Sequence, residues 1–276
     1  MVYLLLGIVS SVLISIIVRL SQGRIRYNVS MLAVNYAVCL AVAWLYTGAA
    51  APVGEGVAFP LALGAVNGAI YLGGFLLNQL SIRENGVVLS ATFMKLGLLV
   101  PMVVAIGFFG ERPGIAQLGG FALAVAAILL INLEKGQSAP PRKGVLVFLL
   151  LLGGMGDAMS KVFEELGRGE QGDLFLLLTF ASALVLSVIV VLWRGEKPGL
   201  PELLFGVVVG VPNYFSSRFV LLALGELEAV LVYPTYSVGT MLVLLVVGAA
   251  AFGERLASRQ RVAMGAILAA LVLLNL

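Results

Sequence analysis

The sequence predicts an all-α integral membrane protein of ten transmembrane helices, built from two inverted five-helix repeats. Three observations lead there: an apolar composition, ten apolar runs of membrane length, and an internal repeat that writes FGER twice. Of the 276 residues, 61% are hydrophobic and 11% charged, where a soluble domain carries about 25% charged residues. The mean hydropathy of +1.09 fits no class but a membrane protein. The net charge of +3 therefore implies no nucleic-acid partner, and its meaning lies in where the charges fall. The chain has no histidine, which removes the commonest catalytic base and metal ligand. No nucleophile–base or metal constellation replaces it, so the sequence predicts no enzyme, metal or cofactor. Cys39, the single cysteine, lies in an apolar run as a small hydrophobe and forms no disulfide within the chain.

A helix crossing the hydrocarbon core needs about 20 largely apolar residues. In chain order the candidates are 2–19, 28–47, 57–79, 86–109 and 114–133, then 144–165, 173–193, 202–224, 228–252 and 257–276. Residues 1–18 lack the basic start and small-residue cleavage site of a signal peptide, so this first run is expected to remain as a span. The second and third runs are separated by Gly48 to Gly56 with Pro52, and the seventh and eighth by Gly195-Glu196-Lys197-Pro198-Gly199. Strand-like alternation is missing, which argues against a β-barrel. The longest connection, EKGQSAPPRK at 134–143, divides the chain into a first repeat (1–134), an inter-repeat loop (135–143) and a second repeat (144–276).

The repeat is visible residue by residue. Residues 109–133 laid over 252–276 are identical at ten of 25 positions. Further upstream, Leu5-Leu6-Gly7 falls on Leu151-Leu152-Gly153, and Asn67 falls on Asn213. An odd number of helices per half makes the second half enter the membrane from the opposite side, as in the inverted repeats of secondary transporters. Each FGER lies in the turn joining the last two helices of its half. There Gly110 and Gly253 permit the reversal, and Glu111-Arg112 and Glu254-Arg255 mark the water boundary. Pro113 or Ser258 opens the next helix. These are structural turn residues, set apart from substrate.

Charge supplies an orientation. Loops 1–2, 3–4, 5–6, 7–8 and 9–10 hold twelve Lys and Arg, against Arg112 and Arg168 on the other face. The twelve-charge face is expected to be cytoplasmic, in a multi-pass protein of the cell membrane with both termini on the non-cytoplasmic side.

A GER turn closing the fourth of five helices in both halves resembles the drug/metabolite transporter superfamily, in particular its ten-helix EamA-type branch. The resemblance covers essentially the whole chain. It implies an alternating-access carrier whose substrates include amino acids, other metabolites and drugs, commonly exported. Many members are thought to keep their termini in the cytoplasm, whereas the charges here place them outside.

Charges deep in a span cost at least ~2.5 kcal/mol each and default to function. Three stand out: Lys95 in ATFMKLGLLV, Asp157 in GGMGDAMS and Arg218 in NYFSSRFVL. Asp157 is the proton-coupling candidate, because taking a carboxyl group out of water penalises its charged form. Lys95 or Arg218 would receive an anionic group of the substrate; alternatively, Lys95 and Asp157 neutralise each other as a structural pair. Lys161, Glu164 and Glu165 lie nearer a surface and are expected to snorkel. The uncharged lining comprises Asn67, Tyr71 and Asn78, which share one face of the third helix within about 40°. It continues with Asn213, Tyr214 and Ser217 on the eighth helix, and Tyr233 and Tyr236 flanking Pro234 on the ninth. The asparagines serve equally well as interhelical glue. Pro101 is expected to interrupt the fourth helix and Pro234 the ninth.

One Asp between two cationic residues suits a zwitterion. The expected function is secondary active transport of a small polar metabolite, amino-acid-like by preference, by proton-coupled or facilitated export. Its partners are that small molecule, the lipid bilayer and protons; two complete halves allow a monomer, and a dimer stays open. The alternative is an exporter of lipophilic cations and drugs, using Asp157 and the tyrosines. A channel would want repeated pore charges, but the buried charges here are unmatched between halves, with Ser11 on Asp157 and Val238 on Lys95. GMGD at 154–157 also spells the GxGD of intramembrane aspartyl proteases. That chemistry needs a second carboxylate, and no other span centre supplies one.

Overall fold

The structure, a computed structural model, describes residues 1–48, 56–132, 142–251 and 257–276. Gly253, Glu254 and Arg255 of the second FGER lie outside the described residues, as does the inter-repeat loop save Arg142 and Lys143. The described residues form helices and contain no strand. The first six helices are α1 (Val2–Ser21), α2 (Asn28–Tyr46), α3 (Ala58–Asn85), α4 (Val87–Leu96), α5 (Leu99–Gly107) and α6 (Ile115–Asn132). They are followed by α7 (Lys143–Leu166), α8 (Gly172–Arg194), α9 (Leu200–Leu224), α10 (Ala229–Ala251) and α11 (Ser258–Leu274). Eight spans among the described residues are long and apolar enough to cross a membrane, with α4 and α5 counted as one, Leu89–Gly107. Helix α6 is apolar but shorter than these spans, and α11, of 17 residues, is shorter as well.

Two boundaries differ from expectation. Helix α3 runs on to Asn85, and its polar tail is satisfied by its own neighbours. The Ser81 hydroxyl accepts from Ser90 at 2.7 Å, and the Asn85 side-chain oxygen accepts the Arg142 N–H at 2.6 Å. The fourth span is broken at Gly97-Leu98, one turn before Pro101, which itself sits inside α5. The cause is still the proline. Pro101 has no N–H for the Gly97 carbonyl one turn back, so that carbonyl is taken by Val100 N–H at 2.9 Å in a tighter turn. Pro234, by contrast, lies within a continuous α10.

The chain divides into two compact units, each drawing on both sequence halves. Unit 1 comprises Met1–Leu72 with Val162–Glu226, and unit 2 comprises Gly73–Lys161 with Leu227–Leu276.

In unit 1, α9 packs on α1 and α2, and α2 packs on α8. Small residues set these distances. A Cβ on Gly206 would lie 2.6 Å from Val34 Cβ, and one on Gly210 would lie 2.5 Å from Val38 Cβ. Gly64 and Gly68 let the first part of α3 lie equally close on α8 around Leu178, Thr179 and Ala183. The loop before α9 closes on α2 through two carboxylates. Glu202 accepts the N–H groups of Arg26, Tyr27 and Gly199, and Glu196 accepts both N–H and hydroxyl of Ser30. Negative charge at a helix start satisfies amides that have no acceptor within the helix.

In unit 2, α6 packs on α11 and both meet α10. The core joins Leu98 and Met102, Ala124, Ala127 and Ile128, Val230 and Val238, and Ala263 and Ile267. Gly120 brings α6 against the α11 backbone, where a Cβ would lie 2.9 Å from Leu274 N.

Candidate functional site

The break between α4 and α5 builds the site. Gly97 lies directly on Gly154 of α7, backbone to backbone. A Cβ on Gly97 would lie 2.9 Å from Gly154 N, and a Cβ on Gly154 would lie 2.8 Å from Val100 Cβ. Lys95 stands two residues before that crossing and Asp157 three residues after Gly154. The close approach sets the two spans' oppositely charged residues in each other's neighbourhood. Both side chains are half-buried. Gly154 of GMGD thus serves helix packing.

Tyr233 completes the cluster from α10. Its hydroxyl donates to the Asp157 main-chain carbonyl at 2.6 Å, while its ring is buried. Tyr236, beyond Pro234, is half-buried, as is Asn78 on α3. Lys95, Asp157 and Tyr233 are therefore the expected site residues that unit 2 gathers into one place.

The remaining expected residues belong to unit 1. Asn67 is fully buried, and its amide donates to the Thr179 hydroxyl at 3.4 Å while its side-chain oxygen has no partner. Asn213 donates to the Asn35 side-chain oxygen at 3.2 Å and to Cys39 Sγ at 3.7 Å. Both asparagines tie helix to helix. Tyr71 sits edge-on to Phe180, Tyr214 is fully buried beside the same ring, and Ser217 is half-buried.

Arg218 is already engaged. Its guanidinium makes two bonds to Asp173 in the first turn of α8, at 2.7 and 3.1 Å, and its Cζ lies 4.1 Å from the Tyr46 ring centre. Tyr214 also donates to Asp173, at 3.4 Å. The paired fork satisfies the charge that made Arg218 stand out, and it lies six residues from the end of α9.

Lys161 departs from its expected behaviour. Its side chain is 4% exposed and pairs with Glu111 at 2.9 Å, so it does not snorkel. Gly110 adopts φ +72° and turns the chain as expected. Glu111, however, reaches past its own hairpin to the start of α10, where it accepts from Ala229 N and Val230 N at 3.0 Å each. Arg112 is exposed.

Sequence reasoning missed Asp173, Asn35, Glu196 and Glu202. Asn35 carried a legible signal, since an amide inside an apolar span needs a partner. The three carboxylates stand at helix ends, where an acid is ordinary and its partner in another segment leaves no local trace.

Comparison with known proteins bears on the fold. No family model matches the chain. An uncharacterised protein of Haemophilus influenzae is 27% identical over 188 residues, covering 66% of this chain and 64% of the relative. The chain thus matches just under two thirds of that relative's length. A solved crystal structure, 16% identical, superposes with a TM-score of 0.76 over 99% of this chain and 98% of its own. At that identity the likeness concerns the fold alone.

Proposed function

We propose that the chain is a secondary active transporter that moves a small polar metabolite, by preference an amino-acid-like zwitterion, across the cell membrane by alternating access. The observation that carries this is the close crossing of Gly97 and Gly154, which sets Lys95 and Asp157 near one another at a helix break inside unit 2. Two opposite charges within spans are costly to keep and match the two ends of a zwitterion. The substrate carboxylate would meet Lys95 and its ammonium Asp157, each replacing the other's partner. Tyr233 holds the Asp157 backbone while that exchange takes place. Asp157 is the group that would take up and release a coupled proton. With Arg218 held by Asp173, the anion-receiving role falls to Lys95.

The two inverted five-helix repeats, 1–134 and 144–276, belong to the same proposal, as does membership of the drug/metabolite transporter superfamily that the paired GER turns resemble. Cross-half pairing supports the repeats: α2 packs on α8 in unit 1, and α6 packs on α11 in unit 2. Asn67 and Asn213, aligned by the repeat, each bond a helix of the other half. Protons as coupling ions, a monomeric transport unit and termini outside the cytoplasm complete the proposal.

A second reading, export of lipophilic cations, gains from one observation. Asp173 and the Tyr46 face balance Arg218, which removes one of the two repulsions that stood against a cation. Melting of the purified protein against amino acids, nucleosides, organic acids, sugar phosphates and quaternary ammonium compounds separates the two. Amino acids are expected to raise the melting temperature, since a ligand at 100 times its dissociation constant adds ~2.7 kcal/mol. Asp157→Asn is expected to remove the shift. A shift from quaternary ammonium compounds alone would replace the zwitterion reading with the second one.

A further inference from the structure

Several contacts not used in the proposed transport step meet at Glu111, beside the start of α10. The N–H groups of Ala229 and Val230 belong to the first turn of that helix, where no acceptor exists within the helix itself. Both donate to the Glu111 carboxylate, one to each oxygen. That carboxylate also pairs with Lys161, whose ammonium stands 6.0 Å from the centre of the Phe109 ring. The Glu111 side chain is 8% exposed, and the turn that presents it is fixed by its own N–H, which donates to the Ala105 carbonyl at 3.1 Å. Lys161 lies four residues after Asp157 on α7, so the two share a face one turn apart. Tyr233 lies one turn beyond Ala229 on α10 and meets Asp157. Helix α10 is thus fastened to α7 at two successive turns: by Glu111 with Lys161 at the first, and by Tyr233 at the second.

We infer that Glu111 and Lys161 form a latch that docks the first turn of α10 on α7, and that Glu111 is thereby a positioning residue for the Tyr233–Asp157 contact. The significance for transport rests on the site proposed above, but the latch is a property of unit 2 and is tested without transport. Glu111 carries an alkyl carboxylate seated between two helix-start amides and an ammonium. Removing its side chain leaves a seat that a free carboxylate fits, with the charge and the two acceptor oxygens intact.

The test uses the full chain in detergent, with hydrogen exchange read on the peptide containing Ala229 and Val230. Fluorotyrosine at Tyr233 reports its hydrogen bond through the fluorine resonance. Glu111→Ala is expected to speed exchange at those amides roughly tenfold or more, as loss of charge-assisted hydrogen bonds does, and to shift the Tyr233 resonance. Excess acetate is expected to reverse both changes in Glu111→Ala, while excess chloride at equal ionic strength reverses neither. Glu111→Gln, which keeps an acceptor but not the charge, is expected to fall between the wild type and Glu111→Ala, and serves if the alanine variant fails to fold. The exposed Glu170→Ala is expected to change nothing. Unaltered exchange in Glu111→Ala or Glu111→Gln would overturn the latch. So would opening of the α10 start without movement of the Tyr233 resonance, or opening that acetate does not reverse.

Discussion

Lys95→Met is expected to destabilise the purified protein by roughly 3 kcal/mol, the lower end of the cost of leaving a charge in a span without its countercharge. The lower end applies because both side chains are half-buried. The loss arises less from the missing attraction than from what is left behind, a carboxylate inside a span with its countercharge gone. Asp157→Asn leaves the opposite orphan, the Lys95 ammonium. The double variant Lys95→Met/Asp157→Asn leaves neither charge, so it is expected to be more stable than the sum of the single losses by about 1 kcal/mol or more. Denaturation of the four proteins in one detergent measures that coupling. Strict additivity would show that the two groups do not form a pair. Both single variants and the double variant are expected to lose ligand-dependent stabilisation, because the proposed zwitterion site uses both charges.

The second large effect comes from a residue with no side chain. Gly154→Leu is expected to abolish recovery of folded protein, or to destabilise it by more than the usual 1–3 kcal/mol for overpacking. The first added atom already meets Val100 Cβ at 2.8 Å and the Gly97 backbone more closely still. Neither neighbour is a flexible side-chain end that could swing away. Gly119→Leu is the control, since nothing lies within 4 Å of its Cβ position. Monodispersity on gel filtration and the melting temperature report both variants. Equal tolerance of the two would contradict the close crossing of α5 and α7 that places Lys95 beside Asp157.

The helices were almost fully legible, and the reason is physical. Hydrocarbon forces each span to be apolar for its whole length, so its ends are written as charges, glycines and prolines. The α9 start shows this in Pro201 and Glu202, and the α8 end in Arg194 and Gly195, the latter at φ +61°. The position of the α4–α5 break was less legible. The sequence displays Pro101, but the consequence of its missing N–H appears at the carbonyl of Gly97, where the chain also needs a glycine for contact with Gly154. The charges of the site, Lys95 and Asp157, stood out because nothing apolar explains them.

What could not be read were the partners of polar groups at helix ends. Arg218 resembled Lys95 in the sequence, yet Asp173, 45 residues earlier, holds it. Glu111 resembled a surface turn and lies instead on the first turn of α10, 118 residues away. Lys161 occupies a helix end that gives a long side chain the option of reaching water. It stays inside, paired with Glu111 at 2.9 Å. The common element is a carboxylate or ammonium whose partner is distant in sequence, for which periodicity carries no information.

The measurement that reaches the central claim most directly is amino-acid exchange in proteoliposomes. Vesicles containing the protein would be loaded with an unlabelled amino-acid mixture and diluted into labelled amino acids, with Asp157→Asn vesicles alongside. The predicted result is saturable accumulation of at least one labelled amino acid, driven by the internal pool and lost in Asp157→Asn. Uptake that rises linearly with concentration, equals that of protein-free vesicles, or survives unchanged in Asp157→Asn would contradict a zwitterion carrier working through Lys95 and Asp157.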